Sequence, residues 1–102
     1  MDNHDVLRPT GEDALAPDPS TTVSLTVATN TIMARIRHVS GGGCNYNAYS
    51  APAAGGAAGD FPIDIGDEIE VWGNPSLVGF GMVGRTGESA AVIRVQYYGD
   101  GS

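Results

Sequence analysis

The sequence predicts an all-β protein, a small antiparallel β-sandwich or barrel of about seven short strands with a flexible N-terminal arm. Three observations lead there. Apolar residues recur at every second position through most of the chain from Thr21 to Tyr98, the period of a strand with one buried face. Breaks rich in Gly, Asn and Asp separate these runs at intervals of roughly eight to twelve residues. No window holds helical apolar spacing between capping residues over more than two turns.

The arm comes first. Residues 1–20 carry Asp2, Asp5, Glu12, Asp13 and Asp18 against Arg8, a net charge of -4, and Pro9, Pro17 and Pro19 interrupt any helix. Such a segment reads as a flexible acidic arm, with the β-sandwich domain spanning residues 21–102. In the first expected strand Val23, Leu25 and Val27 alternate with Thr22, Ser24 and Thr26. In the next, Ile32, Ala34, Ile36 and His38 share one face, and Met33, Arg35, Arg37 and Val39 share the other. Gly41, Gly42 and Gly43 read as a flexible break before a third strand, in which Cys44, Tyr46 and Ala48 alternate with Asn45, Asn47 and Tyr49.

Residues 51–59 (APAAGGAAG) hold no side chain large enough to pack and read as a low-complexity surface loop. Two short strands follow around Gly66 and Asp67, FPIDI and EIEVW; in the second, Ile69 and Val71 face inward and Glu68, Glu70 and Trp72 outward. The run from Leu77 to Val83 (LVGFGMV) is apolar on both faces, the pattern of a central strand or of one that another chain crosses closely. The last strand turns Ala91, Ile93, Val95 and Tyr97 inward and Val92, Arg94 and Gln96 outward.

A length of 102 residues suits one domain. Its formal charge is -7, with five arginines and no lysine, so its field repels phosphate and nucleic acid is not expected as a partner. Leu, Ile, Val and Phe together number only 21. A thin core follows, and burial against a partner or a further copy would add stability; a homo-oligomer is therefore expected. The single Cys44 precludes an internal disulfide, and His4 and His38 are too few to complete a zinc cluster with it. Neither a leader nor a membrane-length apolar run is recognisable, which reads as a soluble, unexported chain.

The residues that could carry chemistry have simpler structural roles. Asp60, Asp64, Asp67, Glu68 and Glu70 lack the converging alternate-position ligands of a calcium loop and read as an acidic surface. His38 suits a partly buried histidine with a backbone partner, and Cys44 a small core residue, since nothing is placed to activate either. The glycine-rich stretches lack the Lys-Ser/Thr ending and the following helix of a phosphate loop. Trp72 with Tyr46, Tyr49, Tyr97 and Tyr98 could form a sugar-stacking platform, although core or interface packing accounts for them more simply. The expectation is a protein that is not an enzyme, with no catalytic residue, cofactor or metal.

The order of features from Thr31 to Gly99 resembles small β-sandwich virion structural proteins of tailed bacteriophages. It consists of the strand TIMARIRHVS, a small-residue loop, FPIDIGDEIEVW turning through Gly-Asp, LVGFGMVGRTG, and the closing strand AAVIRVQYYG. The resemblance implies a virion location and a capsid decoration or cement protein, bound in many copies to the major capsid protein or to other virion proteins. A tail, neck or fibre component is the alternative; a carbohydrate-binding or adhesive module is the alternative of another class. The residues expected to meet the partner are the outward Arg35, Arg37 and Arg94, the two-faced Leu77, Phe80 and Met82, and Trp72.

Overall fold

The computed structural model describes residues 7–99. Eight strands and one short helix follow in order: β1 (Arg8–Leu15), β2 (Thr22–Ser24), β3 (Thr31–Gly41), β4 (Cys44–Asn47), β5 (Phe61–Ile63), β6 (Glu68–Trp72), α1 (Asn74–Gly79), β7 (Gly81–Gly84) and β8 (Ala91–Gly99). They form two antiparallel four-stranded sheets, ordered β1-β8-β3-β6 and β2-β7-β4-β5. Their inner faces meet in one core: Ala34, Ile36, Val71, Ile93, Val95 and Tyr97 from the first sheet, Cys44, Ile63 and Met82 from the second, with Leu77 and Phe80 between. This is the all-β sandwich that the period of two calls for.

The long strands follow the sequence pattern closely. Along β8 every inward residue named above is buried, and Val92, Arg94 and Gln96 are exposed. In β3 Ala34, Ile36 and His38 are buried while Arg35, Arg37 and Val39 are exposed. Met33 departs from the expected outward exposure: it lies on the outer face yet is buried, beside an irregularity between Thr31 and Met33. Its cross-strand neighbours are Trp72 on one side and Tyr98 on the other, outside the central core.

The expected flexible arm is corrected over most of its length. Residues 1–6 lie outside the described residues, but Arg8–Leu15 forms the edge strand β1, paired with β8 from Arg8 opposite Gly99 to Leu15 opposite Ile93. The folded unit therefore reaches back to Arg8 rather than starting at Thr21. Composition concealed this strand because its inward positions are not uniformly apolar. Gly11, Asp13 and Leu15 face the core side, where the Tyr97 hydroxyl donates to Asp13 Oδ2 at 2.6 Å and accepts from the Thr26 amide at 2.9 Å. Buried Pro17 continues the attachment, its carbonyl accepting from the Ala91 amide at 3.0 Å.

Residues 77–83 are likewise not one strand. Gly73 at φ 89° and Pro75 near the helix start open α1, which takes Leu77 into the core and leaves Val78 exposed; Phe80 then returns to extended backbone before β7. The apparent second apolar face belongs partly to a helix. Where β7 does need cover, the chain supplies it: a Cβ on Gly81 would lie 3.0 Å from Cδ of the buried Pro52. The low-complexity loop thus packs as a lid on the second sheet.

Side chains of β4 hold that lid. Asn45 Nδ2 donates to the carbonyls of Ala53 (3.1 Å) and Ala54 (3.4 Å), and Asn47 Nδ2 to Asp60 Oδ1 (3.0 Å). Asp60 Oδ2 accepts from the amides of Ala53 and Ala57. Asn45 and Asn47 are accordingly buried, not solvent-facing. The triple glycine is packed as well: a Cβ on Gly43 would meet the Arg85 guanidinium and Asp64 at 2.7 Å. The two short strands around Gly66 also do not pair with each other; β5 joins β4 in one sheet and β6 joins β3 in the other.

Tyr97→Phe leaves the Thr26 amide and the Asp13 carboxylate without their shared partner. It is expected to lower unfolding stability by about 1–3 kcal/mol, read from the urea midpoint at unchanged slope. A change within error would show that β1 is not anchored through this hydroxyl.

Candidate interaction surface

The two faces of the sandwich differ. The outer face of the second sheet lies under the 51–60 lid, whereas the register of the first sheet sets out rows of side chains on an open face. One row runs Trp72, Met33, Tyr98, Pro9; the next Glu70, Arg35, Gln96, Glu12; the third Glu68, Arg37, Arg94, Ala14. A shallow open depression of about 480 Å³ is lined by Glu12, Arg35, Arg37, Glu68, Arg94, Val95 and Gln96. A second, of about 420 Å³, is lined by Arg37, His38, Val39, Ile65, Gly66 and Arg94.

The structure brings together Arg35, Arg37, Arg94 and Trp72 on this face. The other three expected contact residues do not belong to it. Leu77, Phe80 and Met82 are buried in the core and offer nothing to a partner; their apolar run reflected α1 and β7 packing inward. In their place the face exposes Val39 and Val92, which the alternation had already set on the arginine-bearing side of their strands, and, at its end, Ile65.

The arginines are in different states. Arg35 lies 3.4 Å from Glu70 and 3.6 Å from Glu68, with its guanidinium 5.7 Å from the Tyr98 ring centroid. Glu70 also accepts from Trp72 Nε1 at 3.1 Å, and these two hydrogen bonds, that from Trp72 foremost, hold its carboxyl below the ordinary range. Arg37 and Arg94 stand directly opposite each other on β3 and β8. Among the described residues neither guanidinium has an ion-pair or hydrogen-bond partner. Arg85, away from this face, ties β7 to its neighbours through Asp64 (2.8 Å), Glu88 (3.6 Å) and the Cys44 carbonyl (3.2 Å).

Apart from Glu68 and Glu70 on β6, the titratable groups singled out in the sequence sit in the interior, in the loop or in turns. His38 is fully buried and its Nε2 donates to the Gly42 carbonyl at 2.6 Å; the thiol of buried Cys44 points to the same carbonyl at 3.9 Å. Burial pushes the Cys44 thiol up from 9.0 to about 11, against the opposing pull of Arg85, and so disfavours the thiolate a nucleophile needs. Asp67 and Asp64 close the turn before β6. Among the described residues no three His, Cys, Asp or Glu side chains converge as metal ligands. The aromatic residues are dispersed: Tyr97 is in the core, Tyr46 packs on Phe61 and Phe80, Tyr49 is exposed by itself, and only Trp72 and Tyr98 share the open face. Comparison with protein-family models, with curated proteins and with solved structures gives no match.

The Cys44 environment has a pH consequence. In the unfolded chain the thiol ionises near 9 and in the native chain near 11, so between these values the unfolded state holds fewer protons and stability falls as pH rises. Tyr46 and Tyr97, both raised chiefly by burial, extend the loss to higher pH. Cys44→Ala is expected to flatten the decline between pH 9 and 11 in thermal unfolding. At pH 8 native Cys44 is expected to react with a thiol reagent about 100-fold more slowly than in the unfolded chain; equal rates would contradict the burial argument.

Proposed function

We propose that the chain is a non-catalytic structural protein of a tailed-phage virion, a capsid decoration or cement protein bound in many copies through the outer face of the β1-β8-β3-β6 sheet. The observation that carries the docking part is the asymmetry of the sandwich. One outer face is closed by the chain's own loop, and the other is open, carrying Arg35, Arg37, Arg94 and Trp72 beside exposed valines. A broad, shallow, mixed-charge face suits a protein surface better than a small molecule, which takes an enclosed cavity. The virion part rests on the strand and turn order from Thr31 to Gly99.

Homo-oligomerisation belongs to the same proposal, with a changed rationale. The segment 77–83 no longer calls for a second copy, because its cover is internal; repetition on a symmetric shell remains the reason to expect several copies. A glycan-binding reading draws on Trp72 and Tyr98 flanking Met33 on the open face. Trp72 is half-exposed, but its indole N–H is already committed to Glu70.

Quantitative mass spectrometry of purified particles is the test, reading the copy number of this chain against the major shell protein. Hundreds of copies per particle are expected for a decoration protein. A handful would move the chain to the tail or neck, and absence from particles would overturn the virion proposal.

A further inference from the structure

We infer that Arg37 and Arg94 form a two-arginine clasp for a carboxylate carried by an apolar-acidic segment of a partner protein. The inference rests on the proposed docking role of this face and names the chemistry of what docks there. Three observations support it. Arg37 and Arg94 are exposed and directly opposite in the β3–β8 ladder, and like charges in that position disfavour the isolated sheet. Among the described residues the carboxylates on the same face are drawn elsewhere: Glu68, opposite Arg37 in register, lies against Arg35, and Glu70 lies against Arg35 and Trp72. Glu12, which lines the depression beside Arg94, makes no ion pair with it.

The third observation is the setting. Arg37 and Arg94 line both depressions, the charged one and the one bordered by Val39 and Ile65. Val39 is 44%, Ile65 62% and Val92 37% exposed. An extended segment crossing this boundary would place an acidic side chain between two guanidinium forks and apolar side chains on the valines and isoleucine. A nucleic acid fits poorly: Glu12, Glu68 and Glu70 lie on the same face, and the whole chain carries -7. A single carboxylate avoids that repulsion by entering only between the arginines.

The test uses the full chain with 15N-labelled arginine side chains, titrated with a capped Leu-Asp-Leu peptide and, separately, with its Leu-Asn-Leu counterpart. The Nε–Hε resonances of Arg37 and Arg94 are expected to move together and saturate with the Asp peptide, while that of Arg35 moves less. Arg94→Gln is expected to weaken binding by about tenfold or more, the loss of one charge-assisted fork. Because it also removes the like-charge pair, it is expected to raise the melting temperature of the free protein slightly. Equal shifts with the Asn peptide would overturn the clasp, as would a lower melting temperature for Arg94→Gln. Stronger shifts with inorganic phosphate or a short oligothymidylate would assign a phosphate site instead. Arginine shifts that follow protein concentration without peptide would make the occupant a second copy and overturn the partner assignment. None of these readouts involves particles, so failure of the clasp and failure of the virion proposal are separable.

Discussion

The register of β3 against β8 sets both the interior and the exposed outer face of the first sheet. Ala34 opposite Tyr97, Ile36 opposite Val95 and His38 opposite Ile93 build the inner face; Arg35 opposite Gln96 and Arg37 opposite Arg94 are the same ladder seen from outside. Because side chains alternate, a slip of one residue would put guanidinium groups into the core and aliphatic groups into water. The hydrophobic demand of the inner face therefore holds two arginines together on the outer face, where charge alone would separate them.

The rest of the fold compensates for a small apolar inventory by using short polar side chains as fasteners. Asn45, Asn47 and Asp60 turn a run of alanine and glycine into a lid by hydrogen-bonding its amides and carbonyls and one another. Arg85 does the same between β7, the end of β5 and the start of β4. Tyr97 joins the edge strand β1 to the segment after β2 through one hydroxyl. At Gly43 and Gly81 neighbouring side chains, Arg85 with Asp64 and Pro52, pack where a Cβ would stand, so small residues and hydrogen bonds do work that larger apolar residues do in thicker cores.

This economy leaves the sheets unequal. The second sheet has the outer face of its central strands β7 and β4 buried, beneath the loop, and the first keeps one face exposed with its arginines in two conditions. Arg35 is held by exposed glutamates, a geometry of modest energetic value that orients it more than it stabilises the fold. Among the described residues the guanidinium groups of Arg37 and Arg94 have no ion-pair or hydrogen-bond partner. The strand pair fixes the backbone from which these two guanidinium groups extend, so the ordering cost of any contact they make falls on their side chains alone.

Period-two alternation by itself determined the all-β class, the strands around Ile36, Val71 and Val95, and the outward direction of Arg35, Arg37, Arg94 and Trp72, because burial of one strand face is a local property of the chain. The interior place of His38 and Cys44 was legible for the same reason. Tertiary structure alone decided the rest. It made Arg8–Leu15 a strand, since acidic and small residues become an edge only when β8 is there to pair. It turned Leu77 inward on a helix and put a lid on Gly81, since apolar on both faces describes a buried strand and a strand beside a helix equally well. It also set Arg37 opposite Arg94 and drew Glu68 to Arg35, because cross-strand neighbours are distant in sequence and no local pattern specifies which side chains a ladder brings together.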